Sequence, residues 1–101
     1  NDYRIELSQH KIIFNIENLA QTIKIISIKV ISNNINHRDP KLPIDLCTKD
    51  STPVVFIYKG DLSNIGQAVI EFDIVYSDKD NNQHISRLTL KNRKVTFTPR
   101  S

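Results

Sequence analysis

The feature that most restricts this chain is the stretch "VIEFDIVYS", residues 69–77, where Ile70, Phe72, Ile74 and Tyr76 alternate with Glu71 and Asp73. Alternation with a period of two sends one set of side chains to each face of an extended strand, whereas a helix would scatter them around its circumference. The period recurs along the chain. Tyr3, Ile5 and Leu7 are separated by Arg4 and Glu6, and Ile12, Phe14 and Ile16 are interleaved with Asn15 and Glu17. No segment of helical length reads as amphipathic, no internal repeat occurs and no linker divides the sequence, so a single all-β domain is expected.

Seven to eight short strands are expected. The third, over residues 22–32, changes phase: Ile23 and Ile25 share one parity, Ile26, Ile28 and Val30 the other. One extra residue in the strand, a β-bulge, produces such a shift. Residues 33–43 read as a polar loop, because Pro40 and Pro43 cannot sit inside a central strand. A short edge strand is expected over 44–49. Residues 54–59 are apolar on both parities and read as a central strand covered on both faces. A loop or single helical turn follows over 60–66, "GDLSNIG", bounded by the only two glycines. Val95 and Phe97 mark the last strand. Short strands with turns at this spacing imply a two-sheet antiparallel β-sandwich.

The strands over 68–77 and 84–91 flank "DKDNNQH", residues 78–84. Inward residues must face the same side across a ladder, which sets Phe72 against Leu88, Ile74 against Ser86 and Tyr76 against His84. The same register brings Asp73 opposite Arg87 and leaves a short turn around Asp80, with Asn81 or Asn82 in the left-handed conformation that glycine otherwise supplies. Asp78, Asp80 and Asn82 also have the spacing of the first three oxygen ligands of a calcium loop. Gln83 stands where such a loop needs glycine, and Thr89 where it needs glutamate. A hairpin turn is therefore the first reading, and a weak cation site at Asp78, Asp80 and Asn82 the alternative.

The segment 53–90, "PVVFIYKGDLSNIGQAVIEFDIVYSDKDNNQHISRLTL", resembles the later strands of immunoglobulin-like and fibronectin type III-like domains: an apolar strand, a loop and a long hairpin with a tyrosine near its tip. That resemblance is one of architecture, without the Cys, Trp, Cys framework of antibody domains. It implies adhesion, scaffolding or partner recognition rather than catalysis.

Side-chain chemistry is sparse. Cys47 is the only cysteine, which excludes an internal disulfide, and its place beside Leu46 reads as a small core residue. His10, His37 and His84 have no metal-ligand spacing, and no nucleophile elbow or phosphate loop is present. Neither enzymatic activity nor a cofactor is expected. "RDPKLP", residues 38–43, contains a P-x-x-P core but reads as a kinked connection between sheets. The net charge of +3 is mild. Arg87, Lys91 and Arg93 share one parity and would form a basic row able to meet an acidic protein or phosphates. With no aromatic interleaved, a solvated strand face is preferred and nucleic acid is not the expected partner.

No apolar run approaches the length of a membrane span, so membrane insertion is not expected. A start at Asn1 without a signal pattern suggests an excised domain or mature product. Localisation stays open between the cytoplasm and an extracellular or periplasmic setting, with the architecture leaning to the cell envelope or secretion. The expected function is a non-catalytic interaction or assembly module. It would bind another protein, or another domain of the same polypeptide, through the edge near 44–49 or the loops at 33–43 and 60–66. Two alternatives are a carbohydrate- or ligand-binding module assisted by a cation at residues 78–82, and an anion or nucleic-acid binder using the basic row.

Overall fold

A computed structural model of the chain describes residues 3–61, 63, 65 and 69–100. Nine strands are seen: β1 (Tyr3–Glu6), β2 (Lys11–Glu17), β3 (Ile23–Val30), β4 (Ile35–Asp39), β5 (Ile44–Leu46), β6 (Ser51–Tyr58), β7 (Ile70–Ser77), β8 (Gln83–Lys91) and β9 (Lys94–Arg100). They form two antiparallel sheets, ordered β1-β2-β6-β4 and β5-β3-β7-β8-β9. The protein is a two-sheet β-sandwich.

The inward residues of each strand make the core. Ile12 and Phe14 from β2, Val54 and Phe56 from β6 and Ile35 from β4 face Ile25, Phe72, Ile74, Leu88 and Leu90 of the opposite sheet. Phe72 lies at the centre, its ring centroid 4.7 Å from that of Phe56 and 5.6 Å from that of Phe14, both tilted. Tilted aromatic contacts at these distances bring the positive edge of one ring toward the negative face of another.

The β7–β8 ladder has the register that the alternation dictates: Phe72 opposite Leu88, Asp73 opposite Arg87, Ile74 opposite Ser86 and Tyr76 opposite His84. Asn81 closes the turn in the left-handed region, with φ of 63°. The phase change in β3 is a register shift against β7 between Ile25 and Ser27. It returns Ile28 and Val30 to the side of Ile74 and Phe72.

Two expectations fail. Residues 35–39 are a strand, not loop, and β4 brings the count to nine. Ile35 and His37 turn inward beside exposed Asn36, but the register shift after His37 sets Asp39 opposite outward-facing Val55, so period two is brief and a polar inward residue conceals it. The second failure concerns β6, which is covered on one face only. Thr52, Val54 and Phe56 are buried while Val55 and Ile57 are half-buried on the outside. Pro53 is tolerated because β4 pairs with β6 only from Val55 onward, leaving one side of β6 free at the proline.

Candidate functional site

Four strands end the two sheets, and their edges are not equally protected. β5 has three residues and β1 four. β4 carries a register shift between His37 and Asp39 and runs into Pro40, both features that blunt an edge. β9 is different. It has seven residues, pairs with β8 over its whole length and has no second neighbour among the described residues.

Which backbone groups β9 leaves free follows from its proline. Pro99 is paired with Ser86 and has no N–H, so that pair is of the non-hydrogen-bonded kind. Val95 and Phe97 share its parity and therefore direct their N–H and C=O groups away from β8. Two donors and three acceptors line the open edge, the third acceptor being the carbonyl of Pro99.

Phe97 faces the sandwich interior by register, opposite Leu88, yet it is 56% exposed. It borders an apolar groove between the sheets. One part, about 200 Å³, is lined by Ile16, Ile23, Ile25, Ile74 and Tyr76 with Asn18 at its end; a second, about 160 Å³, adds Phe14, Leu88 and Val95. Among the described residues β1 pairs with β2 from Lys11 to Phe14. On the same side Tyr3 closes the seam, its hydroxyl accepting the Arg93 N–H at 3.1 Å.

The basic row is broken up by the structure. Arg87 donates to Asp73 through Nε at 2.6 Å and Nη2 at 3.0 Å, and Arg100 adds a 3.1 Å contact from β9. Arg87 thereby holds the Asp73 carboxyl below its ordinary range, and Asp73 raises the guanidinium in turn. Arg93 lies in the β8–β9 turn with φ of 64°, off the strand that holds Arg87. Lys91 is exposed at the end of β8. Lys91, Arg93 and Lys94 cluster instead at the β8–β9 turn, beside the free edge.

Asp78, Asp80 and Asn82 are brought together, but as a turn. One oxygen of Asp78 accepts the backbone N–H groups of Asp80 at 2.9 Å and Asn82 at 3.0 Å, and the other lies 3.0 Å from His84 Nε2. The His84 contact, followed by the Asn82 N–H, lowers the Asp78 pKa to about 2. His84 stacks on Tyr76 with ring centroids 5.2 Å apart, so one face of that tyrosine is occupied. No three His, Cys, Asp or Glu side chains converge on a common metal position among the described residues.

Other sequence candidates are placed as follows. Cys47 is exposed, correcting its assignment to the core: it follows the last inward residue of β5, Leu46, and its N–H donates to Asp50. The short edge near 44–49 exists as β5, but it exposes no large apolar side chain. Within the 60–66 loop, Leu62, Asn64 and Gly66 lie outside the described residues. Phe97 was legible as a strand residue but not as an exposed one, since its parity is inward and only its place on an edge strand leaves it uncovered. Comparison with protein-family models, with characterised proteins and with solved structures returns no match for this chain.

Proposed function

We propose that the domain is a non-catalytic interaction module with an immunoglobulin-like arrangement, and that its binding surface is the β9 edge with the groove behind it. The arrangement is supported by the path of the chain. It crosses between sheets from β2 to β3 and again from β6 to β7, and β3, β7 and β8 lie side by side as the C, F and G strands of such domains do. A departure is that β4 joins the first sheet before β5 joins the second.

The observation that carries the reading is Phe97, a large aromatic left half in water at the middle of the longest free edge. An exposed edge of this kind invites strand pairing unless a partner covers it. Its neighbours deepen the site: Ile16, Ile74 and Tyr76 offer an apolar floor that a second side chain can fill. Polar groups that would suit catalysis do not converge there among the described residues, as the groove walls are aliphatic and aromatic apart from Asn15, Glu17, Asn18 and Ser86.

A photo-crosslinking residue placed at position 97, with a control at Asn36, exposed on β4 at the edge of the other sheet, tests this in the native cell. A single protein adduct from position 97 and none from position 36 is the expected result. Equal labelling from both positions, or none from position 97, would remove the β9 side as the interface and leave Pro99, Lys94 and Arg100 as guards of that edge.

A further inference from the structure

Resting on that reading, we infer the chemistry of the occupant: an extended segment of a partner protein that adds to β9 as a tenth strand, with apolar residues at alternate positions and acidic residues at both ends. Each part follows from a different feature of the edge. Val95 and Phe97 present N–H and C=O groups outward, and an antiparallel strand can pair with both through the hydrogen-bonded type of pair. Its residue opposite Phe97 points to the same face as Phe97, over the groove. Residues two positions away on either side lie opposite Val95 and Pro99 and share that face, so the apolar positions are three in alternation.

Charge decides the ends. The outward face of β9 reads Lys94, Thr96, Thr98 and Arg100, with cations at both termini and hydroxyls between. Lys91 and Arg93 add to the Lys94 end, and no carboxylate lies within ion-pair distance of these three among the described residues. At the other end Arg100 contacts Asp73, but that carboxylate already receives two hydrogen bonds from Arg87. Arg87 also has Glu71 at 3.8 Å, whereas Arg100 has, among the described residues, only the Asp73 carboxylate that it must share. A glutamate or aspartate opposite Lys94 and another opposite Arg100 would complete both ends, and the central positions would meet Thr96 and Thr98.

The same charges argue against a second copy of this chain as the occupant. Pairing β9 with itself around Phe97 sets Lys94 opposite Arg100 at both ends, and like charges placed directly across a ladder destabilise it. An acidic partner gains at the positions where a copy of β9 loses.

The probe is a fluorescent peptide, EVTFTVE, titrated into the purified domain and compared with KVTFTVK. Acidic ends should bind at least about ten-fold more tightly at low salt, with the difference shrinking as ionic strength rises. Two N-methylated forms of the acidic peptide separate strand pairing from mere groove filling without altering the domain. Methylation at the central phenylalanine, whose N–H faces Phe97, should abolish binding; methylation at the neighbouring threonine, whose N–H points away, should leave it. Equal binding by both methylated forms, or by acidic and basic peptides, overturns the inference. A dimer of the domain that Phe97→Ser dissolves also overturns it in favour of a second copy. If no peptide binds while position 97 still crosslinks to one protein in cells, the acidic-strand chemistry fails and the interaction surface stands.

Discussion

Arg87 grips Asp73 across the β7–β8 ladder with two hydrogen bonds, and Arg100 approaches the same carboxylate from β9. Three adjacent strands are thereby tied on the outer face of the sheet. Only 14% of the Asp73 side chain is exposed, so the pair is better shielded than an ordinary surface ion pair. Replacing Arg87 by Ala should lower the urea midpoint modestly, since solvent still screens the pair. Asp73→Ala should cost more, because it leaves Arg87 and Arg100 facing each other without their shared anion. Urea denaturation of both single variants and the double variant checks this, and additive losses would deny the coupling.

The turn at the end of the same hairpin depends on an ionised carboxylate. Asp78 accepts two backbone N–H groups and contacts His84, and its pKa falls from 3.8 to about 2. A carboxyl depressed on folding contributes stability that is fully present above its unfolded pKa and is lost as pH falls through the folded value. The contribution should therefore be complete above about pH 5 and fade between pH 4 and pH 2. Asp78→Asn should lower the urea midpoint at pH 6 and converge on the parent protein near pH 2. A gap that stays constant across that range would mean that the charge of Asp78 does not hold the turn.

The hairpin was readable from sequence because the constraint there is local: alternation fixes facing, facing fixes register, and register placed Asp73 against Arg87. The β3 bulge was readable for the same reason, as an inserted residue must invert the alternation. What escaped is set by non-local geometry. β4 hides behind His37, whose inward position makes sense only beside β6, and behind the register shift that turns Asp39 outward. Cys47 sits one residue past the last inward position of β5, a boundary that propensity does not mark. Phe97 has the inward parity of Val95 yet is 56% exposed, because inward parity does not say whether the opposite sheet covers a position at the edge.

His37 provides a second pH dependence, of separate origin. It lies on β4 with its ring edge-on to Phe56, centroids 6.1 Å apart, and its Nε2 is buried without a hydrogen-bond partner among the described residues. Burial lowers its pKa below 6.5, against the raising effect of Asp39 and with a smaller lowering from Lys41. The unfolded chain therefore takes up a proton first as pH falls, and stability declines from about pH 6.5 down to the folded pKa before levelling off. His37→Phe should flatten this segment of the profile while keeping the packing on Phe56, and should not reduce stability at pH 7.5. Thermal midpoints measured from pH 7.5 to 5 on both proteins decide the matter, parallel curves counting against it.

Asn18 closes the end of the groove and holds the crossover from β2 to β3. Its side-chain amide donates to the carbonyls of Gln21 at 2.9 Å and Leu46 at 2.8 Å, while its Oδ1 accepts the Ala20 N–H at 3.1 Å. Asn18 and Leu46 are buried, so the Leu46 carbonyl would lose its partner without water to replace it, whereas exposed Ala20 and Gln21 can turn to solvent. Asn18→Ala should cost about 1–3 kcal/mol on that account. Asn18→Asp discriminates further: a carboxylate still accepts from Ala20 but repels the two carbonyls that the amide serves, so it should be at least as damaging at pH 7 and partly relieved when protonated at low pH. Because Leu46 belongs to β5 and Gln21 to the crossover, loosening this residue separates the two sheets at the far end of the groove. Hydrogen exchange should then quicken in β5 and the start of β3 before it quickens in β7 and β8. Uniform acceleration across the sandwich would instead show that Asn18 contributes only to global stability.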